Sequence, residues 1–299
     1  MEPATNGRRR ISGIRARISG AVLLSGLVAA CALGAAANAG AVVPGKNGRI
    51  AYMGLTDLGI FSIEPDGSDL RRLSNGFDVG PSWSPDGKRL LYVDAIDGDV
   101  WKMHANGTGK RRLTRNGSSF EPSWSPNGKR VVFVKGGGGD PEIFTMRADG
   151  SGFSRVTDNG AEDFDPDWSP SGKRIVFARA RHGSPPDLFK VNPSGSNSKR
   201  ITATKNRYEV TPAWSPNGRK IAFASGRSGE DEEIYTVRSD GSKRTRLTDN
   251  GFVDADPAWS PNGRKMAFYA QNSVWRMKSD GGRAHRVIRD AAWPDWQTR

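Results

Sequence analysis

A phrase that begins PSWSPDGKRLLY at Pro81 returns as PSWSPNGKRVVF at Pro122, PDWSPSGKRIVF at Pro166, PAWSPNGRKIAF at Pro212 and PAWSPNGRKMAF at Pro257. Its tryptophans, Trp83, Trp124, Trp168, Trp214 and Trp259, stand 41, 44, 46 and 45 residues apart, and Trp296 in PDWQ follows 37 later. A fixed period of this length belongs to architectures in which each unit buries its apolar face only against its neighbours. Paired-helix repeats of similar length need long amphipathic segments. Here the apolar runs are short and are broken by Gly and Pro, which occur 37 and 18 times and favour strands joined by turns.

Each unit reads as four strands. The first is the Pro-x-Trp-Ser piece, and the second is the apolar run after Gly-Lys-Arg, as in Arg174 to Phe177. The third carries one central aromatic: Phe61, Trp101, Phe144, Phe189, Tyr235 or Trp275. The fourth is of the RRLT type, as at Arg112 to Thr114 and Arg246 to Thr248. In Ser84-Pro85-Asp86-Gly87 the proline suits the second position of a type I turn, and the glycine can take the left-handed conformation that lets a tight hairpin continue. A second turn, at Asp66, Asn106, Asp149, Ser194, Asp240 and Asp280, joins strands three and four.

The second strand occurs six times, because GRIAY at Gly48 to Tyr52 precedes the first full phrase; the first strand occurs six times only if PDWQ is included. One unit is therefore split between the two ends of the chain. The expected fold is all-β: a six-bladed β-propeller of four-stranded antiparallel blades, closed by pairing of the N- and C-terminal strands in one blade. Such closure leaves no open sheet edge between first and last units. The recurring tryptophans, Trp296 among them, are expected to pack between blades.

The combination WSPDGKR, IAF, IYTV, DGS and RLT resembles the WD-like repeats of the TolB family of β-propellers, from Gly48 to Trp296. The resemblance implies an envelope-associated binding scaffold. The family's namesake carries an α/β domain ahead of its propeller, and only about ten residues here separate the expected signal cleavage site from the first strand, so that domain is expected to be missing. Related propellers precede hydrolase domains in prolyl oligopeptidase-like peptidases or form pectate-type lyases with a central metal. The chain ends at Arg299 inside the closing blade, and no plausible G-x-S-x-G elbow is seen, which argues against the peptidase.

The N-terminal 39 residues read differently. Arg8, Arg9 and Arg10 precede the run AVLLSGLVAACALGAAANAGA, with a small-x-small exit at Ala37, Asn38 and Ala39. Residues 1–39 are expected to be a secretory signal, 40–47 a linker and 48–299 the propeller. Three fates stay open for the signal: cleavage after Ala39, lipidation at Cys31 in LVAAC, or retention as an anchor. The expected location is periplasmic or extracellular, with membrane attachment only through the signal or a lipid. Cys31 is the only cysteine, which excludes disulfides in the mature domain. The net charge is +13; the first 39 residues supply five arginines against Glu2, and the remainder keeps +9. These cations recur along the repeats and form no block, so a solvated rim on a monomer is expected and nucleic-acid binding is not.

Chemistry is sought where the units differ. His104, His182 and His285 fall at different repeat phases and do not form a metal set. Gly-Lys pairs lack the Ser or Thr of a phosphate-binding loop. The crossings before each Pro-x-Trp are acidic: Asp78, Glu121, Asp163, Asp165, Glu209, Asp254, Asp256 and Asp290, interleaved with Phe77, Phe120, Phe164, Tyr208, Phe252 and Trp293. Chain crossings gather at one axial mouth of a propeller. The expected function is an exported, non-catalytic scaffold that binds an envelope protein, peptide or glycan there. The carboxylates would attract Ca²⁺ or a basic or hydroxyl-rich segment. No cofactor is required by this reading. The alternative is a metal-assisted polysaccharide lyase or hydrolase using the same mouth. Against any single carboxylate stands a structural role, as an acceptor for loop N–H groups.

Overall fold

Residues alternate between two faces along each short apolar run, so every run can pack on both sides once neighbouring sheets stand face to face. The computed structural model, which describes residues 42, 44–137, 139–181 and 183–298, realises this in six four-stranded antiparallel sheets. The expected signal 1–39 with Cys31, and also His182, lie outside the described residues. The first blade holds Asn47–Gly54, Gly59–Ile63 and Arg71–Arg72, completed by Ala291–Thr298 from the far end of the chain. The second holds Asp78–Trp83, Arg89–Asp94, Asp99–His104 and Arg111–Arg112; the third Ser119–Trp124, Arg130–Lys135, Glu142–Arg147 and Ser154–Arg155. The fourth holds Glu162–Trp168, Ile175–Ala180, Asp187–Val191 and Lys199–Arg200; the fifth Tyr208–Trp214, Lys220–Gly226, Glu233–Arg238 and Thr245–Arg246. The sixth holds Asp254–Trp259, Lys265–Ala270, Ser273–Lys278 and His285–Arg289.

The recurring phrase is a strand, a turn and a strand, as its residues predict. Ser84 accepts the Gly87 N–H on its carbonyl at 2.8 Å, with Gly87 at φ 65°, and its Oγ accepts the Arg89 N–H at 2.9 Å. Ser125, Ser169, Ser215 and Ser260 repeat both bonds. Ring closure also follows expectation: Trp296 lies opposite Ile50 and Asp295 opposite Ala51. Trp296 Nε1 donates to the Gly48 carbonyl at 3.1 Å, and Gln297 Oε1 accepts the Arg49 N–H at 3.0 Å. All six phrase tryptophans are buried, between 1% and 4% exposed.

One expectation needs correction. The first strand starts upstream of Pro-x-Trp, because a bulge before the proline lets pairing continue past a residue that cannot donate. The residue before that proline is left-handed in every blade: Gly80, Glu121, Asp165, Thr211, Asp256 and Trp293. The strand-three aromatics are not buried alike. Phe61 and Tyr235 are buried, but Trp101, Phe144, Phe189 and Trp275 are half-buried, stacked or packed outside the strand-two aromatics.

The fourth strand is only two residues long in five blades, and side chains explain why. Thr114, Thr157, Thr202 and Thr248 take the N–H of Val100, Ile143, Leu188 and Ile234 on Oγ1 at 2.9 Å, where a ladder would otherwise continue. Two residues earlier Arg112, Arg155, Arg200 and Arg246 donate to that threonine's carbonyl and pair with Asp99, Glu142, Asp187 and Glu233 at the head of strand three. The first blade substitutes Ser74, Arg72 and Asp57. The sixth has Ser273 and Ile288 in place of the acid and the threonine, and its fourth strand runs on to Arg289.

Candidate functional site: the axial carboxyl groups

The first strands of adjacent blades touch one another around the ring and so line its axis. Their left-handed residues turn side chains inward and toward the next blade. Glu121 Oε2 accepts the Asp165 N–H at 2.6 Å, and Asp165 Oδ2 accepts the Thr211 N–H at 2.8 Å. The series stops there: Thr211, 8% exposed, has an Oγ1 without a hydrogen-bond partner. Asp256 occupies the same register in the sixth blade. Glu232 enters from the loop between strands two and three of the fifth blade and accepts a hydrogen bond from the Tyr208 hydroxyl, for which Gly226 leaves room.

These four carboxyl groups, Glu121, Asp165, Glu232 and Asp256, are all buried. Desolvation pushes each of them up, Asp165 to about 7 and Glu232 to about 8, with Glu121 and Asp256 well above the usual carboxylate range. Mutual repulsion adds to burial: Asp165 acts on Glu121, Glu232 and Asp256, and Asp256 also feels Glu232. Among the described residues no Lys or Arg side chain pairs with any of the four. Buried like charges without a cation hold protons, or take up a positive group, at neutral pH.

A further pair at the axis escaped the sequence reading. Asp167, the middle residue of Pro-x-Trp in the fourth blade, accepts the Trp214 N–H at 2.8 Å and the Ser123 hydroxyl at 3.2 Å. Asp295 does the same for Trp83 N–H at 2.5 Å. These carboxylates clamp neighbouring blades, and so do Glu121 and Asp165; the structural role weighed against them is real for those two.

Of the other candidate residues, Asp78, Asp163, Glu209 and Asp254 lie at the heads of the first strands and not in crossings. Asp163 receives a bidentate Arg179 at 2.6 and 2.7 Å, whose guanidinium stacks on Phe177 and Phe189. Glu209 receives Arg244 at 2.5 Å, stacked on Phe223 and Tyr235. Asp78 lies 3.8 Å from Lys110, which sits over Tyr92. Asp254 has no such cation: its cross-strand partner is Ala270, where Asp163 has Arg179. Asn250 donates to its Oδ2 at 2.7 Å, while its Oδ1 and Glu233 Oε2 are buried acceptors without donors. Burial and the neighbouring Glu233 push Asp254 up to about 7. A proton on Asp254 gives Glu233 Oε2 the donor it otherwise lacks. Asp290 is exposed, between strands, and uses its carbonyl to accept the Leu55 N–H at 2.8 Å.

Of the aromatics, Phe77 and Phe252 are exposed, 39% and 50%, while Phe120, Phe164 and Trp293 pack on the core. Among the described residues no three His, Cys, Asp or Glu side chains converge in an arrangement that could hold a metal. Glu232 could have been suspected from the acidic run Glu230 to Glu233, which reads as loop variation.

A family model described as the TolB beta propeller domain matches residues 114–211 and 203–297. The structure of TolB from Acinetobacter baumannii superposes with a TM-score of 0.74 at 24% identity, over 84% of this chain and 67% of that one. A putative TolB from Agrobacterium tumefaciens gives 0.68 at 23%, over 83% and 90% of the two chains. A chain of the nidogen/laminin complex gives 0.67 at 10%, over 83% and 98%. At these identities the structural likenesses are of fold. No curated protein sequence matches the chain.

Proposed function

Since the chain belongs to the TolB β-propeller domain family, we propose that it is an exported, non-catalytic binding scaffold of the cell envelope, which holds an envelope protein, peptide or glycan at its axial mouth. The observation that carries this reading is the convergence of Glu121, Asp165, Glu232 and Asp256 with no cation of their own. At Asp163 and Glu209 the protein neutralises a buried carboxylate with a stacked Arg side chain. A Lys or Arg side chain of a bound segment would supply at the axis what Arg179 and Arg244 supply in the fourth and fifth blades. Phe77 and Phe252, exposed just ahead of the first strands of the second and sixth blades, offer apolar contact area.

Asp256 and Glu232 are the residues to alter, because neither side chain accepts a main-chain N–H of an adjacent blade; the Glu232 carbonyl, which takes the Asp254 N–H at 2.8 Å, is untouched by the substitution. Immobilised exported protein is expected to retain a partner from envelope extract that elutes with 0.5 M salt, and the pair Asp256→Asn, Glu232→Gln to lose it while staying folded, with a melting temperature at least as high as the parent's at pH 7 because two buried carboxyls of raised pKa are neutralised. Undiminished capture by that folded pair of substitutions would remove the axial mouth from the reading.

A further inference from the structure

The outer edge of the sixth blade departs from the other five. In those blades a hydroxyl takes the N–H of strand three and a carboxylate takes the arginine of strand four, so the edge ends after two residues. In the sixth blade Ser273 and Ile288 remove both devices, and His285–Arg289 forms a five-residue edge paired on one side only, to Ser273–Lys278. Arg286 lies opposite Trp275 as Arg246 lies opposite Tyr235, yet among the described residues it has no carboxylate partner. His285, Arg286 and Arg289 are exposed. Among the described residues, no main-chain hydrogen bond from the free side of 285–289 to another element is found.

We propose that this edge is a second docking surface, which takes an acidic, extended segment of a partner protein as an added fifth strand. The edge bulges at Val287, which brings Arg286 and Arg289 opposite Trp275 and Ser273 on one face, so it spans at most about 17 Å and pairs roughly four residues of a guest strand. Main-chain bonds supply the register, and Arg286 and Arg289 supply the preference for carboxylates. The same charges select against two other guests. A second copy of this chain would set one arginine row against another, which is unfavourable in a sheet. The N-terminal segment of the chain brings five arginines against Glu2 and is repelled likewise.

The probe is a fluorescein-labelled, end-blocked peptide of four Thr-Glu repeats, titrated into the exported protein in 50 mM and 500 mM salt. Saturable binding, weaker at high salt, is expected together with slowed amide exchange at residues 286–289. Rebuilding the device of the other blades with Ser273→Glu and Ile288→Thr should weaken binding about tenfold or more. Arg286→Ala with Arg289→Ala should do the same, and serves if the rebuilt edge does not fold. The proposal is overturned by absence of binding at 1 mM peptide, or by equal binding to folded variants. Equal binding of a peptide with proline at alternate positions, or self-association of the free protein through this edge, also overturns it.

Discussion

Asp254→Asn tests the shared proton between the fifth and sixth blades. Asp254 is 1% exposed, and burial, then Glu233, moves its carboxyl from 3.8 up to about 7. The folded protein thus keeps a proton that the unfolded chain releases above its own lower value. Stability from this group is complete below about 3.8 and is lost as pH rises toward 7, at 1.36 kcal/mol per pH unit. Three units amount to about 4 kcal/mol. Asparagine offers a permanent donor to Glu233 Oε2 and can still accept from Asn250, so it does the work of the proton at any pH. The variant should match the parent near pH 4 and exceed it progressively, by about 4 kcal/mol above pH 7. With an unfolding entropy of about 0.5 kcal/mol/K for roughly 250 ordered residues, that is a gain of about 8 °C. Thermal unfolding of both proteins in half-unit steps from pH 4 to 9 reads it. A constant difference across that range, or a variant less stable than the parent at pH 8, would refute the shared proton. The other raised carboxyls are common to both proteins and cancel.

Other perturbations separate the remaining roles. Trp168→Ala should cost about 3–5 kcal/mol through the cavity it leaves, measured by denaturant unfolding. Thr157→Val removes the hydroxyl that takes the Ile143 N–H and should cost about 1–3 kcal/mol, with faster amide exchange at Ile143. Gly87→Ala and Gly218→Ala impose the same left-handed strain of about 1–2 kcal/mol. Only at Gly87 would the added methyl be driven onto the Thr298 carbonyl, so Gly87→Ala should be the more damaging in a melting comparison.

Much of this architecture was legible in the sequence because its signals are local. A serine, a proline and a glycine at fixed offsets make one hairpin, and six imperfect copies with one divided between Trp296 and Gly48 define a closed ring. What escaped depends on neighbours that meet only in three dimensions. The first strands run upstream of their prolines because of a bulge whose left-handed residue is a glycine only at Gly80 and an acid at Glu121, Asp165 and Asp256. Asp163 and Glu209 read as free acids until Arg179 and Arg244, 16 and 35 residues away, fold over them. The axial group itself was half visible: Asp165 and Asp256 stand in a repeated register, whereas Glu232 stands where the third and fourth blades have Pro141 and Pro186, so no repeated acid marks it.

The divided blade also sets an order of events. Gln297 and Arg49 bond across 248 residues of chain, so the inner face of the earliest blade has no partner until the last residues of the domain have been made. A growing chain therefore carries an unfinished first sheet throughout synthesis, and loop closure over nearly the whole domain must precede the native state. A rearranged gene that encodes Ala291–Thr298 ahead of Asn47 would turn that longest contact into a local hairpin, and should shorten the time during which the nascent protein is vulnerable to proteases and to its own copies.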